Sequence, residues 1–266
     1  VVNAAGSWAG KVAALAGEEV RVRPDRGTLV AFNRRFADRV INRLRPPADG
    51  DIFVPHGSVT ILGTTSVAAD RPDDTAAPTA DVLKLLAIGA ALFKDLQNYR
   101  ILRAFAGTRP LFVAREGAEG RAAPRTFTII DHGAGGLRGL VTIAGGKLTT
   151  YRLMAEKAVD LVCERLGVDA PCRTADEALA EEAGADLLAA AAGYFPAAGA
   201  ELAAARLGAA FGRVLAGMRE NPADRALVCE CEQVTLGEIR EAAAESTTHS
   251  LGDIRRRTRM GMGTCQ

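Results

Sequence analysis

The chain has 266 residues, of which 48% are hydrophobic, enough to bury a core in one large or two modest domains. Thirty-three basic residues against 32 acidic ones leave a net charge of +1, which gives no basis for a nucleic-acid partner. The apolar run Leu85 to Phe93 between Lys84 and Lys94 is nine residues, too short for a membrane-spanning helix of about 20.

Val1-Val2-Asn3-Ala4-Ala5-Gly6-Ser7-Trp8 reads as the end of a buried strand entering a turn and a short helix, with Gly17 placed to cap that helix. A core strand needs neighbours that this opening does not supply, so the chain is expected to be a piece of a longer protein. From Val20 to Ser66 the pattern is β. Val20 to Arg23 alternates, Pro24-Asp25-Arg26-Gly27 reads as a turn, and Thr28 to Phe32 as a second strand. Val40 to Leu44 and Asp51 to Val54 are further strands, and His56-Gly57 turns the chain into Ser58 to Leu62 as a hairpin. The hydroxyls of Thr64 and Thr65, after Gly63, either face a polar ligand or fill a strand end.

Thr79 to Leu96 predicts an amphipathic helix with Asp81 in its first turn. Tyr99 to Phe105 predicts a strand leading into Gly107-Thr108-Arg109-Pro110-Leu111, and Arg125 to Asp131 another. Leu140 to Ile143 is a strand, Gly145-Gly146 a turn, and the residues from Tyr151 to Leu166 repeat at helical spacing. Strand, glycine turn and helix together form an anion- or cofactor-binding arrangement. The glycines admit close approach to the backbone, the helix N-terminus favours electron-rich atoms, and Lys147 adds a positive charge. On these residues alone, a tight connection followed by a solvated lysine explains the stretch equally well.

Beyond Gly167 the chain becomes rich in alanine and glutamate. Ala175 to Ala192 and Ala198 to Met218 read as helices, with a stop at Asn221-Pro222. Thr235-Leu-Gly-Glu238-Ile-Arg and Ser250-Leu-Gly-Asp253-Ile-Arg are two versions of one phrase, each a helix N-cap with an acid three residues later. Cys229 and Cys231 precede the first of these helices, and Cys265 follows the second. Five cysteines, two spaced Cys-x-Cys, point to a reduced compartment and metal ligation rather than a disulfide framework. An iron–sulfur cluster, zinc or three free thiols all satisfy this pattern. Cys163 is expected to pack in the core and Cys172 to be structural.

Gly145-Gly146-Lys147-Leu148-Thr149-Thr150-Tyr151-Arg152 resembles the signature at the C-terminal end of the flavin domain in FAD-dependent glycerol-3-phosphate dehydrogenases. Val2-Asn3-Ala4-Ala5-Gly6-Ser7-Trp8 resembles the phrase at which a strand of that domain ends beside FAD. The resemblance implies a mixed α/β (α+β) fold: a partial FAD-binding domain at residues 1–19 and 109–167, an inserted antiparallel substrate-binding sheet at 20–108, helices and linker at 168–222, and a small helical domain at 223–266. It implies FAD contacts from Ala5, Gly6, Trp8, Gly145, Gly146, Lys147, Leu148 and Thr149. Arg109 and Arg125 match arginines that hold the phosphate of glycerol 3-phosphate, and Lys147 would lie beside the flavin ring. Some members carry a histidine base on the strand that here reads Gly27-Thr28-Leu29. None is present there; His56, on a nearby hairpin turn, is a candidate substitute, and the base is left unassigned.

The segment from Cys229 to Cys265 is similar to the [2Fe–2S] domain of bacterioferritin-associated ferredoxin, which is appended to the anaerobic type of this dehydrogenase. The similarity implies cluster ligation by Cys229, Cys231 and Cys265, with a fourth ligand expected beyond Gln266. It also implies electron transfer through iron–sulfur and membrane-anchoring partner subunits to quinone, and a cytoplasmic chain bound to the membrane peripherally through those partners. The Gly-x-Gly-x-x-Gly fingerprint of a dinucleotide fold is expected upstream of Val1. The chain alone is therefore expected to bind FAD weakly or not at all and to be inactive. Two other readings stay open: a related flavin oxidoreductase of a 2-hydroxy acid or amine, and a non-catalytic iron–sulfur carrier or regulatory module.

Overall fold

The computed structural model describes residues 1–113, 126–178, 182–196 and 198–266. The fold is mixed α/β, and it divides into two compact units: Val1–Ala31, Val40–Val54 and Ile61–Glu177 in one, Phe32–Arg39, Pro55–Thr60 and Ala178–Gln266 in the other.

The first unit begins with β1 (Val2–Asn3), a 3₁₀ turn (Gly6–Trp8) and α1 (Ala9–Ala14). Asn3 explains why the chain turns there. Its buried amide donates to the Ala9 carbonyl at 2.8 Å and accepts from the Ala5 N–H at 3.3 Å, so one side chain satisfies backbone groups on both sides of the bend. Gly17, at φ +78°, closes the helix end as the sequence predicts.

The next strand departs from expectation. β2 runs unbroken from Val22 to Phe32, so Pro24–Gly27 is not a turn. Asp25 and Arg26 pair with Ala68 and Val67 of a later strand, and the Asp25 side chain is itself buried, which holds the segment extended. β3 shrinks to Ile41–Asn42, the only part of Val40–Leu44 that pairs with the neighbouring strand. β4 (Ile52–His56) and β5 (Val59–Gly63) form the expected hairpin, and β6 (Val67–Ala68) completes the order β3-β4-β5-β2-β6. α2 (Thr79–Gly89) stops seven residues short of Leu96. A side chain at Gly89 would lie 2.8 Å from Leu62 and Leu96, so the chain turns there and folds Leu96 under the helix end, where Phe53 and Phe93 meet edge to face.

β7 is a single strand from Ile101 to Phe112 that pairs with β2, so the strand expected over residues 99–105 runs on through 107–111. β8 (Phe127–Asp131) and β9 (Val141–Gly145) are antiparallel neighbours, and β1 joins β9 in parallel, Asn3 opposite Thr142. Ala13, Val20 and Ala144 form the core between this sheet and α1. α3 (Tyr151–Leu166) leaves the glycine turn and ends at Gly167, which is left-handed at φ +66°. Cys163 on α3 is half-buried rather than fully packed, and Cys172 is exposed with its sulfur 3.1 Å from the Thr174 hydroxyl.

In the second unit the two long helices expected between 175 and 218 are shorter pieces. α4 is Ala185–Ala190, α5 is Gly199–Leu207 and α6 is Phe211–Glu220. Gly208, at φ +52°, breaks the last two apart, and Asn221-Pro222 stops α6 as read from sequence. Phe211 and Leu215 pack on Ala191, Ala203 and Ala204. The small ribbon of β10 (Leu227–Cys229) and β11 (Val234–Thr235) leads to α7 (Leu236–Ala244) and α8 (Leu251–Thr258). Thr235 and Ser250 cap them, accepting from the Glu238 and Asp253 N–H groups as the repeated phrase predicts. Among the described residues no helix is long and apolar enough to cross a membrane.

Candidate functional site

In the first unit, the glycine turn that ends β9 forms one wall of a hollow of about 390 Å³, within the range of about 300–1,000 Å³ usual for ligand pockets. Gly145 and Gly146 sit at φ +79° and +83°, a conformation that side chains rarely adopt. A Cβ on Gly145 would lie 2.5 Å from the Thr126 carbonyl, and one on Gly146 would collide with the Met154 sulfur. The double glycine is therefore required by the fold here, and it leaves bare backbone facing the hollow. Lys147 is extended and exposed; its N–H donates to Thr150 Oγ1 at 3.0 Å, while the Thr150 hydroxyl donates back to its carbonyl at 2.9 Å. Those two bonds fix where the lysine departs from the turn.

Ala4, Gly6, Pro110, Ile143, Leu148, Tyr151 and Met154 supply the rest of the wall, most of it apolar. Ser7 ties the opening turn to β7 by donating to the Thr108 carbonyl at 2.8 Å. Of the residues that the sequence singles out for FAD, the hollow thus gathers Gly6, Gly145, Gly146, Lys147 and Leu148. Ala5, Trp8 and Thr149 are not in its lining; Trp8 is 43% exposed at the end of its 3₁₀ turn. Behind β9, buried His132 bonds Thr142 Oγ1 and the Glu18 carboxylate, each at 2.9 Å, a buttress no sequence pattern announced.

Arg109 is one residue from the hollow along β7, but its side chain leaves on the other side of the strand from Pro110. Nη1 donates to buried Asp25 at 2.6 Å, and Nη2 donates to the Thr64 hydroxyl and, at 3.1 Å, to the Thr65 carbonyl. The guanidinium lies over Gly27, where a Cβ would be 2.7 Å from Cζ. Ser66 donates to the same Asp25 carboxylate at 2.8 Å. Among the described residues none accepts from the Arg109 Nε. Arg125 lies outside the described residues. Asp25 and Gly27 were hidden in the sequence, because Pro-Asp-Arg-Gly reads as a turn; Thr64 was visible as a hydroxyl at a strand end.

In the second unit His56 does not stand free as a base. Its Nε2 accepts from Arg259, and burial and then that arginine's charge push its pKa below the ordinary histidine value. The three sequence-predicted thiols are all reduced and lie together. The Gly261 N–H donates to the Cys229 sulfur at 3.5 Å, and the Thr264 hydroxyl donates to Cys231 at 3.4 Å. The Thr264 bond, helped by a bond from Cys265, lowers the Cys231 pKa, and the bond to Cys231 raises that of Cys265. Among the described residues no group of three or more Cys, His, Asp or Glu side chains is placed to hold a metal ion. The donor set nonetheless suits a thiolate-ligated iron–sulfur group: soft sulfurs, with N–H and O–H donors aimed at them.

Residues 1–152 match the family model "FAD dependent oxidoreductase", and residues 227–266 match the "BFD-like [2Fe-2S] binding domain". The chain belongs to the FAD dependent oxidoreductase family, and a [2Fe–2S]-type domain follows its flavoprotein part. Along its full length it is 43% identical to a subunit of the anaerobic glycerol-3-phosphate dehydrogenase of Escherichia coli K12, covering 49% of that protein. It is 41% identical to the like-named subunit from Haloferax volcanii, covering 45% of it. The chain thus spans about half the length of the curated relatives it matches. Among solved structures, the FAD complex of glycerol-3-phosphate dehydrogenase from Bacillus halodurans matches over 97% of this chain and 53% of its own, with a TM-score of 0.65 at 24% identity, which supports the fold.

Proposed function

We propose that the chain is part of a flavoprotein that oxidises sn-glycerol 3-phosphate to dihydroxyacetone phosphate and passes the electrons through iron–sulfur carriers to quinone. The observation that carries this reading is the turn at Gly145-Gly146, whose left-handed backbone and following Lys147 wall an apolar hollow. When bound, FAD supplies the two-electron acceptor for the alcohol, and a [2Fe–2S] cluster supplies the one-electron path away.

The chain's residues divide the remaining work. Gly6, Gly145 and Gly146 let the ring approach the backbone. Lys147, in the lining of the same hollow, would hold a fixed positive charge beside a bound flavin, a contribution that grows as water is excluded. Arg109, oriented by Asp25, Thr64 and Thr65, would offer its permanent charge and its remaining donor, Nε, to the substrate phosphate. Arg125 is the second phosphate arginine in this reading. Cys229, Cys231 and Cys265 hold the cluster.

The division of labour along the chain follows the same reading: 1–19 and 109–167 for flavin, 20–108 for substrate, 168–222 as connector and 223–266 for the cluster. The relatives are named as subunits, which supports partner subunits completing the electron path in this reading. In the same reading the chain lies on the cytoplasmic side and those partners carry the membrane attachment.

Turnover of the full-length protein, loaded with FAD and a quinone analogue, tests the substrate. Oxidation of sn-glycerol 3-phosphate with 2-hydroxyglutarate inert is expected, as is loss of most of the rate in Arg109→Ala. The reverse preference would point to a hydroxy-acid enzyme, and an Arg109→Ala protein with full rate would remove the phosphate role.

A further inference from the structure

Glu232 follows Cys231 directly, yet its carboxylate is buried, with only 4% of the residue exposed. A charge in that position is retained only if it is paired and hydrogen-bonded. Arg259 does so with a fork: Nε donates to Oε2 at 2.7 Å and Nη2 to Oε1 at 3.3 Å. Ser58, at the β4–β5 hairpin tip, donates a third bond to Oε1 at 2.9 Å. The same arginine reaches His56 on the hairpin, and Gly57, at φ +59°, gives it room. Arg206 holds the other side of the loop, donating to the Glu232 carbonyl at 3.0 Å and the Gln233 carbonyl at 3.3 Å.

Two features make this more than a surface ion pair. Arg259 closes α8 at φ +64°, where glycine would be the unstrained choice, so the side chain outweighs the backbone cost. The loop carrying Cys265 is pressed onto the same point: a Cβ on Gly263 would lie 2.6 Å from the Cys231 Cβ, 2.8 Å from Ser58 Oγ and 3.0 Å from Glu232 Oε1.

We propose that Glu232 and Arg259 are positioning residues for the thiol site: their ion pair docks the Cys229–Cys231 loop on the hairpin tip and sets the electrostatic potential at the sulfurs, tuning the iron–sulfur group held there. The proposal rests on reading the three thiols as cluster ligands. Paired, the two charges nearly cancel beside Cys231. Removing one partner leaves the other uncompensated, and an unpaired positive charge stabilises a reduced, more negative cluster while an unpaired negative charge opposes it.

The test uses the full-length protein reconstituted with ferrous iron and sulfide. Glu232→Gln should raise the cluster's reduction potential and Arg259→Gln should lower it, with Arg259→Lys close to wild type. Simple structural damage would instead lower iron content in both without opposite shifts. In the iron-free chain, amide exchange over residues 229–233 should quicken several-fold in Arg259→Gln and recover in Arg259→Lys; unchanged exchange would overturn the docking role. A wild-type protein that retains neither iron nor sulfide would overturn the cluster reading and the tuning with it. A wild-type cluster whose potential is unmoved, or moves the same way in both glutamine variants, would overturn the tuning alone.

Discussion

Arg109 Nη1 lies 2.6 Å from the buried Oδ2 of Asp25, so the arginine proposed for the substrate phosphate is aimed by a carboxylate more than 80 residues earlier in the chain. Asp25 keeps 3% of its side chain exposed and Arg109 keeps 26%. Asp25→Ala strands a mostly buried guanidinium and is expected to cost about 3 kcal/mol of unfolding free energy. Urea unfolding at constant slope would measure it, and KM for the phosphorylated substrate should rise more than kcat falls.

Gly27→Ala probes the same contact from the other side. The new methyl group would lie within collision distance of the Arg109 guanidinium, which three protein partners already hold. The arginine must then swing, and a misplacement of about 1 Å can cost about 100-fold. Substrate kcat/KM is expected to fall by about that factor, and the melting temperature should fall too, because the displaced guanidinium leaves buried Asp25 without its partner.

At the other end of the chain, the Thr235 hydroxyl caps α7 and bonds buried Glu238, which also pairs with Arg206. Thr235→Ala is expected to cost about 1–2 kcal/mol, read as a lower melting temperature. Thr235→Ser should restore most of it.

The second cap predicts a pH dependence. The Ser250 hydroxyl, then Arg256, then the His249 N–H hold the Asp253 carboxyl well below its ordinary value of 3.8. A carboxylate whose folded value is depressed stabilises the fold fully above its unfolded value, and that contribution disappears as pH falls below it. The melting-temperature difference between wild type and Asp253→Asn should therefore be constant from neutral pH to about pH 5 and shrink below about pH 4. Because its partner Arg256 is exposed, the difference should also shrink with salt.

Local chemistry was legible where it determined structure by itself. The capping phrases around Thr235 and Ser250, the His56-Gly57 hairpin, Gly17 and the Gly145-Gly146 turn all depend on neighbours within a few residues, and each formed as read. Pro24–Gly27 misled because turn-forming residues were held extended by pairing with β6 and by Arg109, both distant in sequence. The alanine-rich helices were read too long, since propensity does not register that Gly208 bends the chain to bring Phe211 onto Ala203. At the site, the glycines and Lys147 were visible as a motif. The partners that aim or brace the functional groups, Asp25, His132, Glu232 and Arg259, were not, because each acts through a contact that only the folded chain creates.

The most direct measurement is the rate at which the flavin of the FAD-loaded, full-length protein loses its visible absorbance on anaerobic mixing with sn-glycerol 3-phosphate. Lys147→Gln should slow that single turnover by about 100-fold or more while FAD content stays at wild-type level. An unchanged rate with normal flavin content would contradict the placement of Lys147 beside the reacting ring.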